Sequence, residues 1–225
     1  STPSLPVAQR LRVSFGLNGA MRYASVLDHG RTWERMLQRA QLPLAYSHGY
    51  NPQPRIQFAG AMPVGYSSAG ERMDCFMTQA IAPAHFLLVA RPQAPSGLSL
   101  LDCWEVEIKA RSLQASMVAA RYLVRLDCGD CQAVEAGVLQ LLAETEVTWE
   151  RHRRGRDQRF NLRELVQTLS VVPPEDGRCG LDMVLRCGPS GSGRPEQVVA
   201  AMGLPSQTLS IHRAQVIWED EVASA

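Results

Sequence analysis

Lysine is almost absent from this chain: Lys109 is the only one, and every other basic residue counted in the net charge is an arginine. Arginine presents a planar fork suited to bidentate phosphate contacts and to stacking on bases, where lysine offers a point charge. An excess of either charge is also missing. Lys plus Arg number 23 against 22 Asp plus Glu, a net charge of +1, so the total argues neither for nor against a nucleic-acid partner. No run approaches the ~20 apolar residues that a membrane-crossing helix needs, so no membrane partner is expected. Residues 1–9 lack the basic and apolar regions of a signal peptide and read as a short disordered leader or the remnant of a fusion. The expected location is the cytoplasm. The P-loop, the dinucleotide-binding fingerprint and the nucleophile elbow are absent as well, which removes the enzyme classes built on them.

What is there is the composition of a folded globule. Over 225 residues, 45% are hydrophobic and 20% charged, enough for one large domain or two small ones. Six cysteines without secretory features read as reduced thiols rather than a disulfide framework. Cys128 and Cys131 have metal-ligand spacing, and Cys179 and Cys187 are the thiolates available to complete a set of four. The topology expected below sets Cys128 near Cys179 but sends Cys187 to the far end of a sheet. Buried thiols, with no metal and no cofactor, are therefore the expectation.

Residues 11–15 alternate apolar and polar, the mark of a half-buried strand. Ser25 is a plausible N-cap for a helix reaching about Ala40, with Val26, Leu27, Trp33, Met36 and Leu37 as its apolar stripe. Residues 43–54 form a loop punctuated by proline and glycine. Strands are expected at 55–59 and 72–78, a helix opened by Pro83 through 90, and a strand at 98–108. The second half follows a similar order: strand 121–126, helix 131–143, and a strand beginning at 147–151. A short helix within 161–169 comes next, because Leu162, Leu165, Val166 and Leu169 sit at helical spacing. Strand 181–186, helix 195–202 and strand 209–218 complete it. Residues 188–193 read as a flexible connector. The reading is an α+β chain of two tandem ferredoxin-like (βαββαβ) halves with antiparallel sheets, 10–110 and 111–225, after the leader at 1–9.

The densest run of unusual residues is Leu42-Pro43-Leu44-Ala45-Tyr46-Ser47-His48-Gly49-Tyr50-Asn51-Pro52-Gln53-Pro54-Arg55. A long loop so rich in turn formers holds a specific shape. It resembles the signature of the radical-SAM-linked family, a bacterial domain of unknown function fused to, or encoded beside, radical-SAM enzymes. Residues 19–28 with Arg22, Tyr23, Ser25, Leu27 and Asp28, then Pro63-Val64-Gly65 with Glu71 and Asp74, and Ser112-Leu113-Gln114-Ala115, resemble further segments of it. One segment departs: an Asp-Ile-Arg-Pro-like stretch is replaced by Asn161-Leu162-Arg163-Glu164, keeping Arg163 alone. The resemblance implies a radical-SAM protein as partner and points towards RNA or ribosomal components, with the chain in an accessory role. The chain has no Cys-x-x-x-Cys-x-x-Cys run, so the radical-SAM cluster belongs to the partner.

Two groups of residues are candidate sites. Arg22, Tyr23, Asp28, His48, Tyr50, Asn51, Arg55, Glu71 and Asp74 are expected to share a binding groove, the alternative being a solvated helix face and a structured turn. Arg151, Arg153, Arg154, Arg156, Arg159 and Arg163, with His152, form a basic run able to track phosphates, and Trp149 and Phe160 supply stacking faces. The alternative there is a charged hairpin tip around Gly155. Trp33 and Trp218 read as core. The resulting expectation is a non-catalytic accessory domain contacting RNA. Its rivals are an RNA-processing enzyme, endonuclease-like or pseudouridine-synthase-like, using Asp28 or His48, and a pure protein–protein adaptor.

Overall fold

The chain was described from a computed structural model covering residues 6–60, 62–127, 130–153, 156–175, 178–187, 191–203 and 207–222. It divides into two units, Ser1–Ser116 and Met117–Ala225. The first contains β1 (Gln9–Leu17), α1 (Val26–Arg39), β2 (Ile56–Phe58), β3 (Ser67–Met77), α2 (Pro83–Ala90), β4 (Leu98–Val106) and α3 (Leu113–Ser116). Its strands lie in the order β4-β1-β3-β2, every neighbour antiparallel. Strand alternation sends Leu11, Val13 and Phe15 of β1, with Met73, Cys75 and Met77 of β3, into one core. Trp33, Met36 and Leu37 of α1 and Phe86 of α2 pack into the same cluster. Phe15 and Trp33 meet edge to face at 5.0 Å, with Phe58 at 6.3 and 6.4 Å from them. Such pairs add about 0.5–1.5 kcal/mol each beyond the area they bury.

Both ends of α1 follow from local chemistry. Ser25 Oγ accepts from the Asp28 N–H at 3.2 Å while Asp28 accepts from the Ser25 N–H, a reciprocal capping box. At the far end Leu42 N–H reaches Leu37 O and Gln41 N–H reaches Gln38 O, a Schellman closure that forces Gln41 to φ +55°. The first turn is less buried than its apolar residues suggest, since Val26 and Leu27 are exposed.

The second unit contains β5 (Met117–Asp127), α4 (Cys131–Ala143), β6 (Thr148–Arg153), β7 (Arg156–Asn161), α5 (Leu162–Leu165), β8 (Val166–Glu175), β9 (Arg178–Arg186), α6 (Pro195–Ala201), β10 (Gln207–Trp218) and α7 (Glu219–Val222). Its sheet runs β10-β5-β9-β8, again antiparallel throughout. Trp218, like Trp33, is buried. β6 and β7 form a separate two-stranded ribbon inserted between α4 and β8.

The α+β class with antiparallel sheets is what the structure shows, and two expectations are corrected. Residues 166–175 are a strand, and the helix expected within 161–169 shrinks to the single turn of α5. Val166 and Leu169 are both buried because a bulge between Val166 and Thr168 shifts the alternation by one residue, which imitates helical spacing. The cysteines are not all free thiols: Cys131 is disulfide-bonded to Cys179, their Cα atoms 5.6 Å apart. Cys179 lies at the Leu126 end of the β5–β9 ladder, and Cys131 opens the helix that follows β5. Cys128, the expected neighbour, lies outside the described residues, as does Arg154. Cys75 and Cys103 are buried thiols whose pKa values burial pushes up, that of Cys103 to about 12. Residues 1–5 of the expected leader are outside the described residues, while Gln9, its last residue, opens β1. Among the described residues no helix is long and apolar enough to cross a membrane.

Candidate functional site

Glu71 stands opposite Phe15 in the β1–β3 register, which puts it on the helix-covered side of the sheet, 5% exposed. Ser68 Oγ donates to its Oε1 at 2.5 Å and orients the carboxylate. The register slips here between Phe15 and Leu17, and a Cβ on Gly16 would meet Ser68 O at 2.9 Å, so the bulge needs glycine. Beside the bulge lies a cavity of about 540 Å³. Phe15, Leu17, Ile56, Phe58 and Met62 supply apolar walls, Glu71 and His29 the titratable groups, and Ser112 and Gln114 part of the rim. α3 positions the latter pair, because buried Leu113 packs this turn against β2 and β3. His29 projects from α1, with its Nδ1 buried and without a hydrogen-bond partner. Burial pushes the His29 pKa down, against the weaker upward pull of Asp28 and then Glu71.

Asp74 is three residues from Glu71 and hence on the other side of β3. It is fully buried between two arginines of β1. Arg12 Nε donates to Oδ1 at 2.8 Å and Nη2 to Oδ2 at 3.0 Å; Arg10 Nε donates to Oδ2 at 3.0 Å, and its Nη2 also contacts Oδ2. Arg10 continues to the carbonyls of Ile108, Ala110 and Arg111, at 3.3, 2.6 and 3.3 Å. This triad ties β1, β3 and the segment after β4 together. Neither Arg10 nor Arg12 was singled out by sequence, because polar positions of an alternating strand read as a wet face. Their arrangement is structural: a paired, hydrogen-bonded buried charge.

The remaining members of the first-half set are dispersed. Arg22 lies 4.7 Å over the Tyr23 ring in a 3-10 turn, Gly19–Tyr23, and hydrogen-bonds the Tyr23 hydroxyl. Asp28 belongs to the capping box; the Ser25 hydroxyl and then the Ser25 backbone hold its carboxyl below the usual range. His48, Tyr50 and Asn51 are exposed on a turn closed by Ser47 N–H to Gln53 O at 2.8 Å and Gln53 N–H to Ser47 Oγ at 3.0 Å. Arg55 stacks 4.6 Å over Phe76, whose ring Arg10 also faces at 5.4 Å. Only Glu71 of the nine lines the cavity, joined by His29.

In the ribbon, the register sets Trp149 against Phe160, Arg151 against Gln158 and Arg153 against Arg156. These pairs alternate along the ladder with Glu150–Arg159 and His152–Asp157. Trp149 and Phe160 are half-buried. Arg159 is engaged by Glu150 at 2.6 Å, both largely exposed, and Arg163 Nη1 donates to Val166 O at 3.1 Å. No group of His, Cys, Asp and Glu among the described residues is placed to hold a metal ion.

Similarity to solved structures is confined to fold. A chain of a Cbf5–Nop10–Gar1 complex gives a TM-score of 0.50 at 8% identity, over 92% of this chain and 48% of that one. A chain of the archaeal box H/ACA sRNP Nop10–Cbf5 complex gives 0.43 at 7% identity, over 90% and 46%. A chain of an H/ACA RNP bound to a substrate RNA containing 2′-deoxyuridine gives 0.42 at 8%, over 90% and 47%. The chain therefore spans about half the length of these three solved chains. No curated protein matches the sequence. The pattern of a family of uncharacterised proteins conserved in bacteria, DUF2344, matches residues 10–195, and the chain belongs to that family.

Proposed function

We propose that this protein is a non-catalytic accessory domain of a radical-SAM system, contacting RNA through the β6–β7 ribbon and positioning it for modification by the partner. The observation that carries the reading is the ribbon itself. The strand and helix order of the second unit is already complete without it: β5, α4, β8, β9, α6 and β10 form a βαββαβ circuit. The inserted segment concentrates arginine beside two aromatic residues, the combination that tracks a phosphate backbone and stacks bases. The 4-1-3-2 strand order of each unit supports a ferredoxin-like reading of both, hence a two-domain chain. The likeness to a Cbf5–Nop10–Gar1 chain concerns fold and leaves the RNA reading to the ribbon. The radical-SAM partner rests on the loop at 42–55 and its companion segments.

The test is capture of cellular RNA and of the radical-SAM partner by the purified chain and by a variant with Arg151, Arg153 and Arg156 changed to Gln. The reading expects RNA to be lost and the partner retained. A variant that keeps its RNA contradicts it, as does wild-type protein that captures the partner alone, the behaviour of an adaptor. Cleavage of the bound RNA, abolished by Asp28→Ala or His48→Ala in a folded protein, would establish the enzyme reading instead.

A further inference from the structure

We propose that the first two turns of α1 and the cavity beside them form a docking surface for an acidic amphipathic helix of another protein. That helix crosses α1 at Gly30 and seats one large apolar side chain in the cavity mouth. The inference concerns the first unit alone and does not depend on the ribbon.

Tyr23, Val26, Leu27 and Val64 are 58, 51, 74 and 63% exposed. They are neighbours rather than scattered. The first three lie within five residues at the start of α1, and Gly65 N–H donates to Arg22 O at 2.6 Å, which brings Val64 to the same end. Clustered exposed apolar residues mark an interaction surface where single ones do not. Val26 is both exposed and part of the cavity lining, so it stands at the mouth, and Leu17, Phe58 and Met62 continue the apolar surface inward. Gly30 supplies an independent sign. It sits inside α1, one turn after Val26 and Leu27, where glycine is among the least favourable residues. Nothing in the chain requires it there: its φ is not positive, and an added Cβ would meet open space. A missing side chain at that point lets a second helix come closer, since interaxial distance follows the side chains at the contact.

The charge around the patch selects the partner. Residues 22–39 hold Arg22, Arg31, Arg35 and Arg39 against only Asp28 and Glu34. Arg31 and Arg35 are exposed and follow Leu27 at intervals of four along one ridge of the helix. Asp28 is engaged in the capping box, and Glu34 accepts from Gln38 at 3.3 Å. A helix with aspartate or glutamate beside its apolar stripe meets complementary charge here and an apolar recess for its anchor. RNA would leave Val26, Leu27 and the recess without a counterpart.

The probe is a displayed library of helical peptides of about four turns, selected on the full chain and counter-selected on Leu27→Asp. Selected peptides should carry a large apolar residue flanked by aspartate and glutamate. The same peptide with lysine for its acidic residues, or with alanine for its anchor, should bind the wild-type chain about tenfold more weakly or worse in fluorescence anisotropy. Gly30→Leu separates docking from folding. Leucine is the better helix former and has open space, so the melting temperature should hold or rise while the peptide weakens about tenfold or more. Changing Arg151, Arg153 and Arg156 to Gln should leave peptide binding unaltered, which separates this surface from the ribbon. A selection that yields only basic peptides, or none dependent on Leu27, overturns the proposal, as does full affinity in Gly30→Leu. Binding of the wild-type chain to phosphatidylglycerol vesicles that Leu27→Asp abolishes would assign the face to a lipid surface instead. A dimer in sedimentation that Leu27→Asp dissociates would assign it to a second copy of the chain, and either result overturns the acidic helix.

Discussion

Replacing Asp74 with Asn is the most demanding test of how the first unit is held together. The substitution keeps the side chain's shape and removes its charge. Asp74 is inaccessible to solvent, and the side chains of Arg10 and Arg12 are 3% and 9% exposed. With the carboxylate gone, two guanidinium groups remain buried, and the new amide turns N–H donors towards them on one side. Breaking a buried ion pair by removing one partner costs about 3–5 kcal/mol, because the surviving charge is left uncompensated. At roughly 2–4 °C per kcal/mol for a chain of this length, the melting temperature should fall by about 6–20 °C. Thermal melts followed by circular dichroism, with exposed Glu107→Gln as a control expected within about 0.5 kcal/mol, give the comparison. A loss below about 1 kcal/mol for Asp74→Asn would refute the claim that the triad is a closed, desolvated network.

Gln41→Gly should stabilise the chain by about 1 kcal/mol, since Gln41 holds φ +55° to close α1; a melting temperature unchanged or lower would contradict this. His29 should titrate below its ordinary 6.5 because burial disfavours the imidazolium, and Glu71→Gln should move it further down by removing a negative charge; imidazole NMR shifts read both, and an upward move on Glu71→Gln would count against the cavity geometry. Because the folded value is the depressed one, His29's contribution to stability is present above pH 6.5 and is lost as the pH falls below it towards that depressed value. Reducing the Cys131–Cys179 bond, which spans 48 residues of sequence, should cost about 2–4 kcal/mol; identical melts with and without reductant would argue that the bond is not formed.

The elements legible in the sequence were those with local punctuation. Ser25 and Asp28 mark the start of α1, and Pro83 the start of α2, because a cap or an N-terminal proline acts within one turn. β8 was hidden by its bulge, which converts a two-residue period into a spacing of three. Arg10 and Arg12 were unreadable for a different reason. Their partner lies more than sixty residues away, and nothing local distinguishes a polar strand position facing water from one facing a buried carboxylate. The cavity likewise assembles from α1, β1, β2, β3 and α3, so the approach of Glu71 and His29 to one cavity was not visible in the sequence. The arginine run needed no tertiary information, and a hairpin was one of the forms the sequence offered for it.

The measurement closest to the central claim is the salt dependence of RNA affinity, compared between the wild-type chain and the variant with Arg151, Arg153 and Arg156 changed to Gln. Each phosphate contact to single-stranded RNA contributes roughly 0.7 to the slope of log K against log salt, so three lost contacts should flatten it by about 2. A weaker and flatter line for the variant is the predicted result. Parallel lines of equal affinity, or no wild-type binding at low salt, would contradict the assignment of the ribbon to RNA.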